Sequence, residues 1–218
     1  MLKTVLATIL GVLAMAGTTG PAAAQQHISC RPASERTGDV GCWIMGREVL
    51  RQLPPGPLYW HLDTYPSRAE AETAKGSPGT IVEAMGKVWL FTITEAGWRP
   101  SGGQRAAQIG PLPVSAASEH AAVYMETMLP LGFSAPIHRH PGPEAIYAVA
   151  GELCIETPDG KTVLRPGTES HVIPGGRPMA LTVTGGEHHR SIVLILHDAS
   201  QAAIILAPEW TPRGLCRN

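Results

Sequence analysis

From His120 onward the chain changes between apolar and polar residues in short, regular stretches. Ala121, Val123, Met125 and Leu129 fall on one face of an extended segment. The stretches EAIYAV and ELCIET follow, broken at Gly151. TPDG at 157–160 reads as a tight turn, because Pro fixes φ and Gly accepts a positive φ. KTVL, SHVI, MALTVT and RSIVLILH come next, separated by Pro-Gly-Gly and Gly-Gly. Seven short strands at this spacing predict an all-β barrel or sandwich.

Ahead of this region the pattern is mixed. PSRAEAETAKG has Ser67 three residues before Glu70, the spacing of a capping box, and it ends in Gly76. It predicts a short helix. TIVEAMGKVWLFTIT predicts one or two strands with Trp89 and Phe91 in the core. Arg99 to Val114 is rich in Gly and Pro and reads as a loop or linker.

Composition places the chain among globular proteins, with 44% hydrophobic and 16% charged residues and no long low-complexity tract. The first 24 residues read as a secretory signal peptide: Lys3, an apolar run from Val5 to Met15, and small residues at Ala22-Ala23-Ala24. Cleavage there implies export to a secreted or periplasmic location. An uncleaved anchor is the alternative. No later segment is long and apolar enough to span a bilayer, so no membrane association is expected after cleavage. One of the 17 basic residues, Lys3, lies in the leader, leaving 16 against 18 acidic residues. That balance, without a basic run, argues against nucleic acid as a partner.

Export permits disulfides. Cys30, Cys42, Cys154 and Cys216 contain no CxxC pair, and four cysteines allow three pairings. Cys30 with Cys42 is the first choice, and a bond from either to Cys216 would tie the ends together. Cys154, in an apolar strand, reads as a buried thiol.

The chemistry concentrates in PIHRHPGPEAIYAVAG, residues 136–151. His138 and His140 are two apart and share a face of an extended backbone, while Arg139 faces away. Glu144 begins the next strand. If the strands lie side by side, its carboxylate joins the two imidazoles as the facial set of a non-haem Fe(II) site, which also suits Mn or Zn. The bland alternative is three exposed polar residues at a barrel rim. GxSxG, P-loop, GxGxxG and HExxH motifs are absent.

The segment Gly132-x5-His138-x-His140-x3-Glu144-x6-Gly151 resembles the first motif of the cupin superfamily, position for position. The resemblance runs from about His120 to His197. It implies a jelly-roll β-barrel of six to eight strands, often dimeric, with a divalent metal inside held by His138, His140, Glu144 and a fourth ligand. The second motif departs from the family pattern. Pro174-x-Gly176-x-x-Met179 puts Met179 where the family has its fourth histidine, Val183 stands in place of an Asn, and Gly167 precedes Pro174 by one residue more than usual.

Three readings of Met179 stay open. It is an apolar plug beside three protein ligands and water; or the barrel is metal-free and binds a small molecule; or the thioether ligates and favours copper. His171 could supply a substitute ligand, though a polar strand edge is the simpler reading. His188 and His189 read as a solvated loop, His197 as rim, and His61 as a packed structural histidine.

The expected architecture is mainly β: a signal peptide at 1–24, an N-terminal α+β region and linker at 25–114, a cupin barrel at 115–210 and a C-terminal tail at 211–218. The expected function is a metal-binding protein using Fe, Mn or Zn, with Cu as the lesser choice. It would act on a small oxygen-rich molecule by dioxygenase- or isomerase-type chemistry. The alternative is a non-catalytic small-molecule binder.

Overall fold

A computed structural model describes residues 29–76, 79–117, 119–167 and 171–217. The signal peptide expected at 1–24 lies outside the described residues. The chain starts with the short β1 (Arg31–Pro32), one 3-10 turn, β2 (Gly41–Leu50) and β3 (Leu58–Tyr65). Helix α1 (Arg68–Ala74) precedes β4 (Thr80–Ala84), β5 (Lys87–Thr94) and β6 (Gln104–Leu112). The second half holds β7 (His120–Leu129), β8 (His138–Arg139), β9 (Glu144–Ala150), β10 (Glu152–Thr157) and β11 (Gly160–Leu164). It continues with β12 (His171–Ile173), β13 (Ala180–Thr184), β14 (His189–Asp198) and β15 (Ile205–Leu206).

Local signals explain several of these elements. Ser67 caps α1 by accepting from the Glu70 amide at 3.2 Å, and its hydroxyl donates to the Glu70 carboxylate at 3.0 Å. β4 and β5 form a hairpin whose two turn residues, Met85 and Gly86, both have positive φ, the conformation that matches strand twist. Gly151 turns β9 into β10 at φ +66°, and a Cβ there would lie 2.3 Å from the His188 carbonyl oxygen.

The strands assemble into a six-stranded sheet in the order β1-β2-β7-β14-β9-β12 and a three-stranded sheet β11-β10-β13. A pair β15-β8 and a four-stranded sheet β4-β5-β3-β6 complete the set. Within the six-stranded sheet, residues alternate between two cores. Val123, Met125, Ile146, Val193 and Ile195 pack with Leu153, Ile155, Leu181 and Val183 of the three-stranded sheet, forming the barrel interior. Ala122, Tyr124, Ile192 and Leu194 pack on the other face against Trp60, Leu62, Trp89 and Phe91 of the four-stranded sheet. Phe91 stacks on Tyr124 at 5.0 Å and meets Trp60 edge-on at 5.3 Å. The architecture is mainly β, a jelly-roll barrel with an extra sheet laid over its outer wall.

Two features differ from the sequence expectation. Arg99 to Val114 is not all linker: Gln104–Leu112 is strand β6, an edge strand beside β3 that contains a cis Gly110–Pro111 bond. Pro is compatible with an edge, where no ladder bond is lost. The boundary drawn at 114 is also crossed, because β2 pairs along its length with β7 inside the barrel sheet.

Both disulfides have ordinary spans. Cys30–Cys42 has its Cα atoms 4.4 Å apart and Cys154–Cys216 has them 5.7 Å apart. The buried-thiol reading of Cys154 is therefore corrected. Cys154 alternates with the core residues Leu153 and Ile155, so it faces out of the barrel, under the C-terminal segment. Glu156, on that same outward face and 1% exposed, accepts the backbone N–H groups of Arg213 and, at 2.7 Å, Leu215. The segment at 211–217 is thus anchored to β10 rather than being a loose tail.

Candidate metal-binding site

β8 carries His138 and β9 begins at Glu144, so a turn of four residues, 140–143, separates them. That turn is pressed against β14. A Cβ on Gly142 would lie 2.0 Å from the Leu196 carbonyl oxygen, so only glycine allows this approach. The Pro143 carbonyl accepts from the Leu196 amide at 3.0 Å. The geometry delivers His138, His140 and Glu144 to the barrel interior, where they are 9%, 3% and 5% exposed. They are not exposed rim residues. Arg139 points away and pairs with Glu209.

Backbone carbonyls fix both imidazoles. The His138 Nδ1–H donates to Pro136 O at 2.7 Å and the His140 Nδ1–H donates to Ala203 O at 2.6 Å. Only a protonated Nδ1 can make these bonds, so each Nε2 keeps its lone pair when the ring is neutral. The rings lie 5.0 Å apart at 78°. His140 Nε2 stands 3.5 Å from Glu144 Oε2, and both atoms are buried without a hydrogen-bond partner.

The charges follow from this placement. Burial lowers the His138 pKa and, with the nearby His140, outweighs the opposing pull of Glu144 and Pro136 O. Burial also disfavours charge on His140, yet the Glu144 carboxylate and the Ala203 carbonyl overcome it and raise the pKa. For Glu144, burial favours the neutral acid, but the surrounding histidines, His140 foremost, hold the pKa below the usual value.

Met179 is 1% exposed and bridges directly to His138, its amide donating to His138 O at 2.8 Å. The residue at the second-motif position therefore does stand beside the first-motif histidine. His171 lies opposite Ile146 in the register, two residues from the Ile173–Glu144 pair, and so on the Glu144 face of the sheet. It is half-buried; burial lowers its pKa and Glu144 partly opposes this.

A cavity of about 380 Å³ opens from these residues into the barrel. Its walls are mainly apolar, and the Cys30–Cys42 bridge and Ile204 and Leu206 stand among them. A larger recess, about 900 Å³, lies outside the barrel beside the β4–β5 turn. No histidine among the described residues lines it, and its buried carboxylate, Glu126, is already engaged by Arg36 and the Met85 amide.

Among the described residues, no three His, Cys, Asp or Glu side chains are already gathered at metal-binding distances. The donors nonetheless suit an ion. Two imidazole Nε2 atoms, which bind a metal once their rings are neutral, and a buried carboxylate oxygen without a hydrogen bond are the ligand types of Fe, Mn and Zn sites. An unpartnered buried carboxylate oxygen is otherwise costly.

The remaining histidines divide. His61 is fully buried; its Nε2–H donates to Glu95 O at 2.9 Å and its Nδ1 accepts from Arg105, which also pairs with Asp63 at 2.7 Å. It is a packed structural histidine, as expected. His189 and His197 are corrections, since neither is solvated: they are 0% and 5% exposed. Sequence reasoning also missed Ala203. Any residue can offer a carbonyl, so no side-chain signal marks it.

No protein-family model matches the chain, and no curated protein matches it. Solved structures do. DMSP lyase DddQ from Ruegeria pomeroyi DSS-3 is 27% identical over 41% of this chain and 45% of its own, with a TM-score of 0.36. A cupin-like protein from Thermotoga maritima is 14% identical over 39% of this chain and 64% of its own, TM-score 0.36. Oxalate decarboxylase from Bacillus subtilis is 19% identical over 42% of this chain and 24% of its own, TM-score 0.34. The chain spans less than half the length of the DMSP lyases it matches. Two of the matching structures are named as cupins, the Thermotoga maritima protein and one from Desulfitobacterium hafniense.

Proposed function

We propose that the protein is an exported cupin that holds a divalent transition metal through His138, His140 and Glu144 and receives a small molecule in the barrel. The observation that carries this reading is the facing pair His140 Nε2 and Glu144 Oε2, buried 3.5 Å apart inside the barrel and neither with a hydrogen bond. When bound, Fe, Mn or Zn supplies Lewis-acid polarisation, and iron adds redox chemistry of the dioxygenase type. Pro136 O and Ala203 O hold the protons on Nδ1, keeping both Nε2 atoms available. Met179, beside His138, is a poor donor to such an ion, so a further position at the ion would be left to water or substrate. Two disulfides favour an oxidising compartment and hence export.

Metal analysis of protein purified without added metal tests the reading. Wild type should retain close to one equivalent of a transition ion, while His138→Ala and Glu144→Gln lose it. Metal-free wild type that also fails to take up Zn²⁺, Mn²⁺ or Fe²⁺ would overturn it. The second reading, a non-catalytic binding barrel, is favoured by one observation: the donors are not pre-gathered around a point, whereas the apolar cavity is fully formed.

A further inference from the structure

The walls of the cavity say what kind of molecule fits it. Of its described lining side chains, only His138, His140 and Glu144 ionise, and all three sit together on the short segment 138–144. Among the described residues, no Lys or Arg lines it. Thr127, Ser191 and Ser29 bring hydroxyls; the first two bond each other at 2.7 Å across the β7–β14 register, and Ser29 stands at the exposed margin. The body of the cavity is hydrocarbon, from Met125, Leu129, Phe133, Leu153, Leu181 and Val193. Ile204 and Leu206, 44% and 65% exposed, continue the apolar lining to the surface.

We propose that the ligand has an apolar, hydrocarbon body and a single oxygen-bearing head, with the head against His138, His140 and Glu144. The proposal rests on the metal-site reading for what holds the head, but the body is selected by the walls alone. A polyhydroxy compound or a dicarboxylate would leave its hydroxyls or second charge against Leu and Val side chains, without partners to replace water. A hydrocarbon body leaves water at no such loss. The volume of about 380 Å³ lies at the small end of small-molecule sites, which limits the body to a medium chain or one ring system. The oxygen-rich substrate expected from the sequence is replaced, in this proposal, by an amphipathic one.

Two probes with the same head separate these classes: octanoate and gluconate. Each is titrated by calorimetry into Zn²⁺-loaded and metal-free protein. Octanoate should bind the Zn²⁺-loaded form at least tenfold more tightly than gluconate, and should retain that preference, with weaker binding, in the metal-free form. Ala135→Trp and Leu181→Phe, which fill the cavity from neighbouring positions joined by the Ala135 N–H to Leu181 O bond at 3.0 Å, should each weaken octanoate at least tenfold with an unchanged circular dichroism spectrum. Gluconate binding equal to or tighter than octanoate, or no octanoate binding to either form, overturns the proposal. So does octanoate binding that neither variant weakens. Should wild type fail to take up Zn²⁺, the metal reading falls by itself, and the metal-free titration still decides the ligand class.

Discussion

The Nδ1–H of His140 donates to the carbonyl oxygen of Ala203, 63 residues further along the chain, at 2.6 Å. The bond places a proposed metal ligand under the control of the C-terminal segment. Just beyond Ala203, Ile205 and Leu206 pair with Arg139 and His138, and the Ala207 amide bonds Ile137 O at 3.0 Å. One strap therefore supports both histidines.

Loosening that strap should weaken the ion without removing a ligand. Ala207→Pro deletes the amide that bonds Ile137 O. It is expected to lower Zn²⁺ affinity roughly tenfold, at the low end of the ~10–100-fold losses typical of groups that orient ligands. Calorimetric titration of metal-free protein reads this directly. Unchanged affinity would mean that the strap does not orient His140.

Met179→His should strengthen the site. Met179 and His138 face each other in an antiparallel bridge, so their side chains share a side. Imidazole is a better donor than a thioether for Zn²⁺ or Fe²⁺. Zn²⁺ affinity should rise by about tenfold or more, whereas Met179→Leu should leave it unchanged. Tighter Cu(I) binding by wild type than by Met179→Leu would instead support ligation by the thioether.

Acid should destabilise the fold through His189. Burial pushes its pKa down to about 4, the nearby Ala150 and Gly151 backbone only partly opposing this, and both ring nitrogens lack a hydrogen-bond partner of normal geometry. The unfolded chain, with an ordinary histidine near 6.5, binds this proton first. Stability from this group is thus fully present above about pH 6.5 and is lost as pH falls towards 4, with an upper limit of about 3 kcal/mol. Urea unfolding at several pH values should show the loss, and His189→Gln should flatten it. An equally steep profile in the variant would assign the effect elsewhere.

The two disulfides should differ in worth. Cys154–Cys216 closes a sequence separation of 62 residues and Cys30–Cys42 one of 12. Chain entropy gives about 4 kcal/mol for the first and about 3 kcal/mol for the second. Paired Cys→Ser variants compared by urea unfolding should follow that order. The reverse order would mean that the N-terminal bridge stabilises by packing rather than by constraint.

Where local chemistry decides, the sequence is legible. Ser67 and Glu70 specify a helix start, and His138, His140 and Glu144 share one cavity because an i, i+2 pair and the next strand leave little choice. Legibility fails where the partner is distant. Gly41–Leu50 joins β7 across some seventy intervening residues, which no local pattern encodes. β6 was hidden by its Gly and Pro, tolerated because it lies at a sheet edge. His189 follows two glycines and looks like loop, yet strand β14 begins there and carries it inside.

The six-stranded sheet, walled on one side by the barrel and on the other by the extra sheet, leaves neutral drift little to work on. In a half-wet sheet every second position changes freely. Here Ala122 to Thr127 are all buried, at 0–7% exposure, and so are Ser191 to His197, at 0–5%. A saturation library over these two strands should show unbroken intolerance in place of the usual alternation. Divergence among descendants of this chain would then gather in outer turns such as Pro158-Asp159, while the middle of the sheet changed only by matched substitutions in neighbouring layers.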